Sequence, residues 1–584
     1  MKILLITPPL LQPNTPYAAT PLLSAWLQQC GHETVQSDLS LQFLLRLFSK
    51  AGVEAVCEKL EVPEEVATSY TERVEEVVAF LQNRSPSSAQ KIMQRGYLPE
   101  GTALFRAYEQ EEQLGWNFRG LSEEDRARHL ASLFLDDLAE AATALDPHFG
   151  FSRYAEKLTA SLPYFTPLQE ALEEPPELLG SWLNELTEAV FSKTQPDSVV
   201  LTVPFPGTLL GALRIAKKIR QLAPNLPITL GGGYVNTELR ELSDPSIFDY
   251  VDFITLDSGF LPLQRIAEGG SLVRTFVREN GRVVWKNSPA EEIPHDQLPP
   301  PDFNGLELDN YFGMFEMLNP ATRLWSDGRW NKLILAHGCC WARCAFCDTS
   351  IDYICRYDPA TPTTICDWIE ATLQKTGFNG FHFVDESLPP DLLDPLCDEI
   401  LRRNLSIEWW GNIRFEKRLS PVLIQKMATA GCIAVTGGLE TACDRTLKLM
   451  QKGIRMQDAE QVLQSFSDSG ILTHAYLMYG FPTQTLDETL QALETIRDFF
   501  DRGILHSAHW HRFALTAHSQ IARQPETYNI QVPPPPTHTF AFNEIPFSAP
   551  FDYDLDPIGT TLKTATYNYM LGLALDLPVR DFLI

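Results

Sequence analysis

The feature that most constrains the fold is an alternation of short apolar stretches with helical segments, which the chain shows twice. One series includes residues 198–256 and the other residues 332–515. Such alternation predicts parallel sheets, because a parallel strand connection needs a crossover and that crossover is usually a helix. Ligands bind at the carboxyl ends of the strands in sheets of this kind. The polar and glycine residues that follow each strand are therefore the first candidates for a functional site.

The first series predicts a doubly wound, Rossmann-like α/β domain. Strand-like stretches occur at Lys2–Ile6, Glu33–Gln36, Ser198–Val203, Ile228–Leu230 and Tyr250–Leu256. From residue 44 to residue 192 the pattern changes to long amphipathic segments rich in Glu, Leu and Ala, such as Glu64–Leu81 and Leu121–Leu145. We therefore assign residues 1–43 and 193–290 to one domain that carries a helical insertion over residues 44–192.

The second series predicts a partial (β/α)6 barrel over residues 332–520, with its active site on the rim at the strand ends. Its six strand-like stretches are Lys332–Ala336, Gly380–Val384, Ile407–Ile413, Cys432–Thr436, Leu472–Tyr479 and Ser507–Leu515. A predicted hairpin and a proline-rich linker, residues 291–331, precede the barrel. Residues 521–584 form a C-terminal extension without a clear catalytic pattern.

Charge and cysteine usage limit the partners and the compartment. The 584 residues carry a formal net charge of −28, which argues against a nucleic acid partner and against docking on an anionic membrane. The apolar start Met1–Ile6 is short and soon meets prolines, so we interpret it as a strand and expect no signal peptide or membrane span. An odd count of 11 cysteines fits no disulfide framework. We expect a protein of the reducing cytoplasm.

Four of the cysteines lie within Cys339–Cys347, directly after the first barrel strand. Cys340, Cys344 and Cys347 form a Cys-x3-Cys-x2-Cys pattern, and three thiolates this close can hold three corners of an iron–sulfur cube while one iron stays open. The alternatives are a structural zinc site, which usually takes four protein ligands, and buried free cysteines. Cys339 does not fit the spacing, so we expect it to be structural.

With this motif, residues 332–520 resemble the radical S-adenosylmethionine (SAM) family. The resemblance implies that Cys340, Cys344 and Cys347 hold a [4Fe-4S] cluster whose fourth iron binds the methionine part of SAM. It also implies reductive cleavage of SAM to a 5′-deoxyadenosyl radical. Phe346 matches the aromatic residue that lies near the adenine in that family.

The same resemblance suggests further SAM contacts at the ends of later strands. They are Asp385 or Glu386 for the methionine amino group, Arg414 for its carboxylate, Gly438 and Glu440 for the ribose, and Gly480 and Pro482 near the adenine. Each has a simpler interpretation: the acids could cap a helix, and the charged groups could pair on the surface. Their recurrence at successive strand ends favours the functional one.

The first domain resembles the cobalamin-binding domain that precedes the barrel in one large subgroup of the radical SAM family. The matching positions are Pro8, Thr202, Pro204, Gly231, Gly232, Gly233 and Gly259. Glycines at strand ends would let the backbone approach a corrin closely. The chain lacks the Asp-x-His-x-x-Gly signature of a lower histidine ligand, so a degenerate domain that binds nothing is the alternative.

The sixth barrel strand and its surroundings contain His506, His509, His511 and His518. His509 and His511 share one face of a strand and could contact a substrate, carry a proton or bind a metal, or could simply be hydrogen-bonded. The leading hypothesis is a cobalamin-dependent radical SAM enzyme, plausibly a C-methyltransferase, that takes a small-molecule or peptide substrate and an electron donor such as flavodoxin or ferredoxin. The alternatives are a radical SAM cyclase, oxidoreductase or rearrangement enzyme, and a non-catalytic iron–sulfur protein.

Overall fold

The computed structural model describes residues 1–114, 122–146, 148, 162–315, 317–326 and 329–582. The chain divides into two compact units. Unit 1 contains Met1–Glu292, Pro301–Arg329 and Thr537–Phe542. Unit 2 contains Ile293–Pro300, Trp330–Pro536 and Asn543–Ile584.

Unit 1 is built on a seven-stranded sheet with the order β2-β1-β3-β4-β5-β6-β7. Its strands are β1 (Lys2–Thr7), β2 (Glu33–Asp38), β3 (Ser198–Thr202), β4 (Ile228–Gly231), β5 (Phe253–Thr255), β6 (Thr275–Glu279) and β7 (Arg282–Lys286). The first five strands pair in parallel and the last two add an antiparallel hairpin. The 2-1-3-4-5 order is one of the two common doubly wound arrangements, and its switch point lies between β1 and β3.

Helices cover both faces of this sheet. They are α1 (Ala19–Gln29), α2 (Leu39–Leu47), α3 (Lys50–Lys59), α4 (Glu64–Leu81), α5 (Ala89–Ile92), α6 (Thr102–Leu114), α7 (Glu123–Leu145), α8 (Thr166–Glu173), α9 (Leu178–Thr194), α10 (Leu209–Leu222), α11 (Gly233–Glu238), α12 (Phe260–Ala267) and α13 (Pro320–Ser326). One face packs on α1 and α12 through a small cluster that includes Ile3, Leu5 and Leu263. The other face packs on the remaining large helices. The predicted doubly wound domain is confirmed.

The predicted helical insertion shares the core of unit 1. Phe134 and Leu135 of α7 belong to the same buried cluster as Leu4 of β1 and Leu201 of β3. Ser122 starts α7 with a capping box, since its hydroxyl accepts from the Asp125 amide and the Asp125 carboxylate accepts in return. The predicted start of this helix at residue 121 lies outside the described residues.

Much of the predicted linker packs on unit 1 as well. Ser24 and Gln28 donate hydrogen bonds to the Asp302 carboxylate at 3.2 and 2.8 Å. Gln36 donates to the Asp302 carbonyl at 2.8 Å. These bonds fix the segment after Pro301 to α1 and β2, which explains why 301–329 belongs to unit 1 rather than hanging free.

The glycine turn after β4 is packed against the chain that follows β3. Gly232 has φ +118°, and a Cβ there would lie 2.5 Å from the Val203 carbonyl oxygen. A Cβ on Gly233 would lie 2.8 Å from the Pro204 carbonyl oxygen. The Tyr234 amide donates to both of these carbonyls at 3.1 Å. The two glycines are therefore needed for contacts within the chain itself.

Unit 2 contains a six-stranded parallel sheet with the order β15-β14-β13-β12-β11-β8. The strands of unit 2 are β8 (Asn331–Leu333), β9 (Ala336–His337), β10 (Asp358–Pro359), β11 (Gly380–Phe383), β12 (Glu408–Ile413), β13 (Cys432–Glu440), β14 (Leu472–Tyr479), β15 (Ser507–Arg512), β16 (Leu515–Thr516) and β17 (Glu544–Ile545). All six predicted barrel strands are present, and the sequential order with two free edges is that of the predicted open barrel.

Helices follow these strands. They are α14 (Asp352–Cys355), α15 (Pro362–Thr376), α16 (Pro390–Arg402), α17 (Pro421–Thr429), α18 (Asp444–Leu449), α19 (Met456–Asp468), α20 (Leu486–Asp501), α21 (Gln520–Arg523) and α22 (Leu555–Met570). The C-terminal extension completes the fold: Trp510 of β15 is buried and donates to the Thr566 hydroxyl of α22 at 2.8 Å. None of the described helices is long and apolar enough to cross a membrane.

The first barrel strand ends earlier than its sequence predicts. The amides of Leu335 and Ala336 donate to the Asp385 carboxylate, at distances of 2.7–3.1 Å, rather than to a neighbouring strand. From Ala336 the chain pairs as β9 with β10. This local break leads the backbone into the cysteine loop.

Replacing Gly232 with Ala should lower the thermal stability of unit 1. The left-handed backbone angle alone costs a side chain about 1–2 kcal/mol, and the contact with Val203 adds to that. The matched variant is Gly259→Ala, because Gly259 has a negative φ and its added Cβ would make ordinary contacts with Leu23 at 3.6 Å and Leu263 at 3.9 Å. Differential scanning calorimetry should show a lower first transition for the former only. Equal midpoints for the two variants would contradict the packing argument.

Candidate functional site

The cysteine loop runs from Gly338 to Cys347 between β9 and α14. Gly338 has φ +73°, and a Cβ there would lie 2.0 Å from the Arg356 carbonyl oxygen, so the turn requires glycine. The Cys339 amide donates to the Ile354 carbonyl at 2.9 Å. The loop thus leaves the sheet edge in a fixed direction and presents its thiols together.

All three cysteines of the motif have free thiols. Cys344 is buried, and Cys340 and Cys347 are half-buried. The pKa of Cys344 is lowered, first by a hydrogen bond from Cys347 and then by the charges of Lys452 and Arg414. Thiolate is the form that binds iron, and the charges of Lys452 and Arg414 favour that form at Cys344. Within the described residues, no three His, Cys, Asp or Glu side chains are close enough to hold a single metal ion.

A second loop, residues 450–453 between α18 and α19, holds the cysteine loop in place. The Ala345 amide donates to the Met450 carbonyl at 2.8 Å. The Trp341 indole donates to the Gln451 carbonyl at 2.9 Å. Gly453 lies under the indole, where a Cβ would be 2.2 Å from the ring. We name residues 450–453 the clamp loop.

Lys452 of the clamp loop forms a buried ion pair with Glu440 at the end of β13. The Lys452 ammonium lies 2.6 Å from the Glu440 carboxylate, and the two side chains are 11% and 9% exposed. The ammonium is also 5.9 Å from the centre of the Phe346 ring. Although burial alone would lower the pKa of Lys452, Glu440 and then Cys344 raise it. A cation is therefore stable beside the thiols.

Gly438 makes room for this pair. A Cβ at Gly438 would lie 1.9 Å from a Glu440 carboxylate oxygen and 2.7 Å from the Lys452 nitrogen. Glu440 itself has φ +53°, at a register shift between β13 and β14. The predicted Gly438 and Glu440 thus belong to one arrangement, but the sequence did not reveal that Lys452 completes it.

Arg414, predicted to bind the methionine carboxylate, is 6% exposed. Its guanidinium donates to the Lys452 carbonyl at 2.6 Å and lies 3.9 Å from the centre of the Trp341 ring. Its Nε is 3.6 Å from the Glu416 carboxylate. Arg414 therefore supports both the clamp loop and the cysteine loop.

The two acids that end β11 have different environments. The Asp385 carboxylate is buried and accepts from the backbone amides that end β8, and burial raises its pKa to about 7. Glu386 is exposed, and the protein around it, followed by Cys339, raises the pKa of its carboxyl. Of the two acids whose assignment the sequence left open, Glu386 is the one with a carboxylate available to a ligand.

The other predicted SAM residues lie around the same rim. Gly480 follows β14 with φ +72°, and Pro482 beside it is buried. The Phe346 carbonyl accepts from the Thr516 hydroxyl at 3.3 Å, which joins the cysteine loop to β16. These contacts fix the backbone of the rim. The role of Gly480, Pro482 and Phe346 near the adenine stays a prediction.

The residues predicted to bind cobalamin lie at the carboxyl ends of the strands in unit 1. Pro8 follows β1, Thr202 ends β3, and Pro204 comes next; all three are buried. The turn Gly231–Gly233 follows β4, and Gly259 precedes α12, where an added Cβ would make ordinary contacts with Leu23 at 3.6 Å and Leu263 at 3.9 Å. Pro8 and Pro204 therefore flank the β1/β3 switch point, where doubly wound sheets bind ligands.

Imidazoles share one face of β14 and β15. His509 and His511 are exposed with ring centres 4.5 Å apart. His474, which the sequence did not suggest, is buried beside them and bonds to the Ser507 hydroxyl at 2.7 Å. Burial lowers the pKa of His474 to about 3, and surrounding protein followed by His511 lowers that of His509 to about 4. Both are therefore neutral near pH 7.

The other two predicted histidines stand apart from this group in their bonding. The His506 ring bonds to the amide and hydroxyl of Thr473 at 3.1 Å. The His518 carbonyl accepts from the Ser350 hydroxyl at 2.8 Å. For His506 the simpler interpretation, a hydrogen-bonded structural histidine, accounts for these contacts.

Comparisons with known proteins agree with this geometry. Residues 334–496 match the model of the Radical SAM superfamily. An uncharacterised methyltransferase of Pyrococcus horikoshii is 22% identical over 312 residues, which are 51% of this chain and 63% of that protein. The chain thus spans less than two thirds of that relative's length.

Two solved structures share the fold. The radical SAM methyltransferase TsrM from Kitasatospora setae, with tryptophan and a SAM analogue bound, is 16% identical with a TM-score of 0.51 and covers 91% of this chain and 78% of its own. The cobalamin-dependent SAM radical enzyme OxsB, with aqua-cobalamin bound, is 16% identical with a TM-score of 0.50 and covers 65% of this chain and 59% of its own.

Removing single cysteines should identify the cluster ligands. After anaerobic reconstitution we expect about four irons per chain, as a cube held by three thiolates requires. Cys340→Ala, Cys344→Ala and Cys347→Ala should each lose most of that iron, measured by colorimetric iron assay and absorbance near 400 nm, roughly the range of such clusters. Cys339→Ala is the control and should keep it. Loss in Cys339→Ala with retention in Cys340→Ala would contradict the ligand assignment.

Lys452→Met should destabilise unit 2, because it leaves the Glu440 carboxylate buried without its partner. Removing one member of a buried pair costs about 3–5 kcal/mol. The double variant Lys452→Met with Glu440→Gln should recover most of that loss, since no charge is then left unpaired. Urea unfolding of the iron-free protein, followed by tryptophan fluorescence, measures both. Equal losses in the single and double variants would show that packing, rather than charge, explains the effect.

Proposed function

We propose that this chain, whose residues 334–496 form a radical SAM domain, is a cobalamin-dependent radical SAM enzyme that methylates an unactivated carbon. The observation that carries the proposal is the Cys340-x3-Cys344-x2-Cys347 loop at the strand-end rim of an open six-stranded parallel barrel. The 2-1-3-4-5 strand order of unit 1 supports the cobalamin part.

In this proposal Cys340, Cys344 and Cys347 hold a [4Fe-4S] cluster. When bound, the cluster supplies the electron that cleaves SAM, and cobalamin supplies the methyl group. The protein itself contributes positively charged side chains near the cysteines. After a hydrogen bond from Cys347, the positive charges of Lys452 and Arg414 lower the pKa of Cys344, and the same charges would stabilise the negative charge of a thiolate-bound cluster.

We assign the SAM contacts according to the polar atoms that each side chain can still present to a ligand. Glu386 is exposed and acidic, so it suits the methionine ammonium group. Glu440 is bonded through Oε1 to Lys452, which leaves its second oxygen to accept from a ribose hydroxyl. Arg414 acts through Trp341 and the clamp loop, so its role is to position the cysteine loop rather than to bind substrate.

For cobalamin, the candidate surface is the end of the unit 1 sheet near Pro8, Thr202, Pro204, the glycine turn and Gly259. The glycines of the turn are occupied by their contacts with Val203 and Pro204. At Gly259 an added Cβ would meet only side-chain carbons, those of Leu23 and Leu263, at ordinary contact distances, so this glycine is not required by backbone packing. No lower axial histidine is assigned.

The substrate would be a small molecule or a peptide, and an external one-electron donor such as flavodoxin or ferredoxin would reduce the cluster. His509 and His511 are exposed on β15 and are candidates to form a hydrogen bond with the substrate. We place the enzyme in the cytoplasm, because its free thiols are typical of a reducing compartment.

The test uses reconstituted enzyme with hydroxocobalamin, titanium(III) citrate and SAM labelled in its methyl group. We expect slow release of 5′-deoxyadenosine and methionine, and retention of cobalamin through gel filtration. Cys344→Ala should abolish deoxyadenosine release. Gly259→Phe should reduce cobalamin retention by adding bulk at the proposed surface, whereas Ser271→Phe, on an exposed position of the same unit, should not.

The outcomes separate the alternatives. Deoxyadenosine without retained cobalamin would favour a radical SAM cyclase, oxidoreductase or rearrangement enzyme with a degenerate first domain. An intact cluster without any deoxyadenosine would contradict the proposal and favour a non-catalytic iron–sulfur protein. Transfer of the labelled methyl group of SAM to a product identified by mass spectrometry would establish methylation.

A further inference from the structure

An open groove of about 520 Å³ lies on unit 2 beside the cysteine loop. It is lined by Trp341, Arg343, Lys448, Gly453, Ile454 and Arg455, among others. The residues come from the cysteine loop, from the end of α18, and from the clamp loop with the start of α19. The groove is thus built by the same two loops that hold the thiols.

The charge of this groove is opposite to that of the protein. The chain has 47 basic and 75 acidic residues, yet the groove is lined by three cations and one acid, Asp444. The Asp444 carboxylate already accepts from the Met456 amide at 2.8 Å. An acidic partner would therefore meet a local positive field on an otherwise repulsive surface.

Two of the three cations have no acidic partner. Arg455 pairs with Asp458 at 2.8 Å. Arg343 and Lys448 are exposed and form no ion pair within the described parts of the chain. In contrast, Lys426 of the same unit pairs with both Asp394 and Asp398. Unpaired cations at one place on an acidic surface are available to a partner's carboxylates.

Trp341 connects this surface to the cluster loop. It lies in the sequence between the proposed ligands Cys340 and Cys344, and its ring centre is 3.9 Å from the Arg414 guanidinium and 5.2 Å from that of Arg343. The hydrogen bond to Gln451 holds the ring in the groove. Gly453 leaves room for the ring, because a Cβ at that position would lie 2.2 Å from it. A rigid aromatic side chain is therefore shared by the groove surface and the loop that would hold the iron.

We propose that this groove is the docking surface for a small acidic protein that carries electrons one at a time. The proposal rests on the proposed function, since it needs a cluster on the cysteine loop. The partner's carboxylates would pair with Arg343 and Lys448 and bring its redox centre over Trp341. In the reaction, one electron leaves the anionic hydroquinone of a flavin, which becomes the semiquinone, and enters the cluster, whose charge falls by one.

The test measures the rate of cluster reduction, with fully reduced flavodoxin as the probe, by stopped-flow absorbance and freeze-quench electron paramagnetic resonance. We expect Arg343→Glu and Lys448→Glu each to slow reduction about tenfold at low salt, because charge reversal acts on association. The wild-type rate should fall as salt is raised, and the rates of the variants should depend less on salt. Lys375→Glu, an exposed reversal at the end of α15, is the matched control and should behave as wild type.

A parallel series with titanium(III) citrate separates the two levels of the proposal. Every variant with full iron content should be reduced by this small reductant at the wild-type rate. If both groove variants also keep the wild-type rate with flavodoxin, the docking surface is refuted while the proposed function stands. If titanium(III) citrate yields no reduced cluster in the wild type, the proposed function itself fails.

Discussion

The buried ion pair between Lys452 and Glu440 links segments of unit 2 that are far apart in sequence. Burying either charge alone would be costly, so the pair is stable only with both members in place and with space around them. Gly438 provides that space, and Arg414 bonds to the backbone of Lys452. The clamp loop then carries the bonds that hold the cysteine loop. The position of the thiols thus depends on a charge pair rather than on apolar packing alone.

Much of this site follows from local sequence, because its chemistry is concentrated in one loop and at strand ends. The cysteine spacing and the glycines after β13 are readable without a fold. Lys452 was missed because its importance comes from a partner twelve positions earlier, and the intervening helix brings the two together. Trp341 was passed over for a similar reason: a tryptophan between cysteines has no evident role until Gly453 and Arg414 are seen around it.

In the doubly wound unit, too, features set by neighbouring residues were predictable, whereas contacts between distant residues were not. Strand patterns and the switch point are predictable from apolar runs and the glycine turn. The insertion's amphipathic helices were also evident, but which surface their apolar faces would cover was not. In the structure the apolar faces of these helices cover one face of the sheet, where Phe134 and Leu201 belong to the same core. Likewise, the position of Asp385 at a strand end predicts a contact with SAM. In the structure its carboxylate accepts hydrogen bonds from the amides of Leu335 and Ala336.

The short segment Thr537–Phe542 returns to unit 1 from a tail that otherwise belongs to unit 2. Phe540 is fully buried, its amide donates to the Pro163 carbonyl, and its ring lies 5.0 Å from that of Phe165. During synthesis, residues 1–329 leave the ribosome long before this segment does. Unit 1 therefore cannot close its core until nearly the whole polypeptide has been made, although most of its residues are translated first.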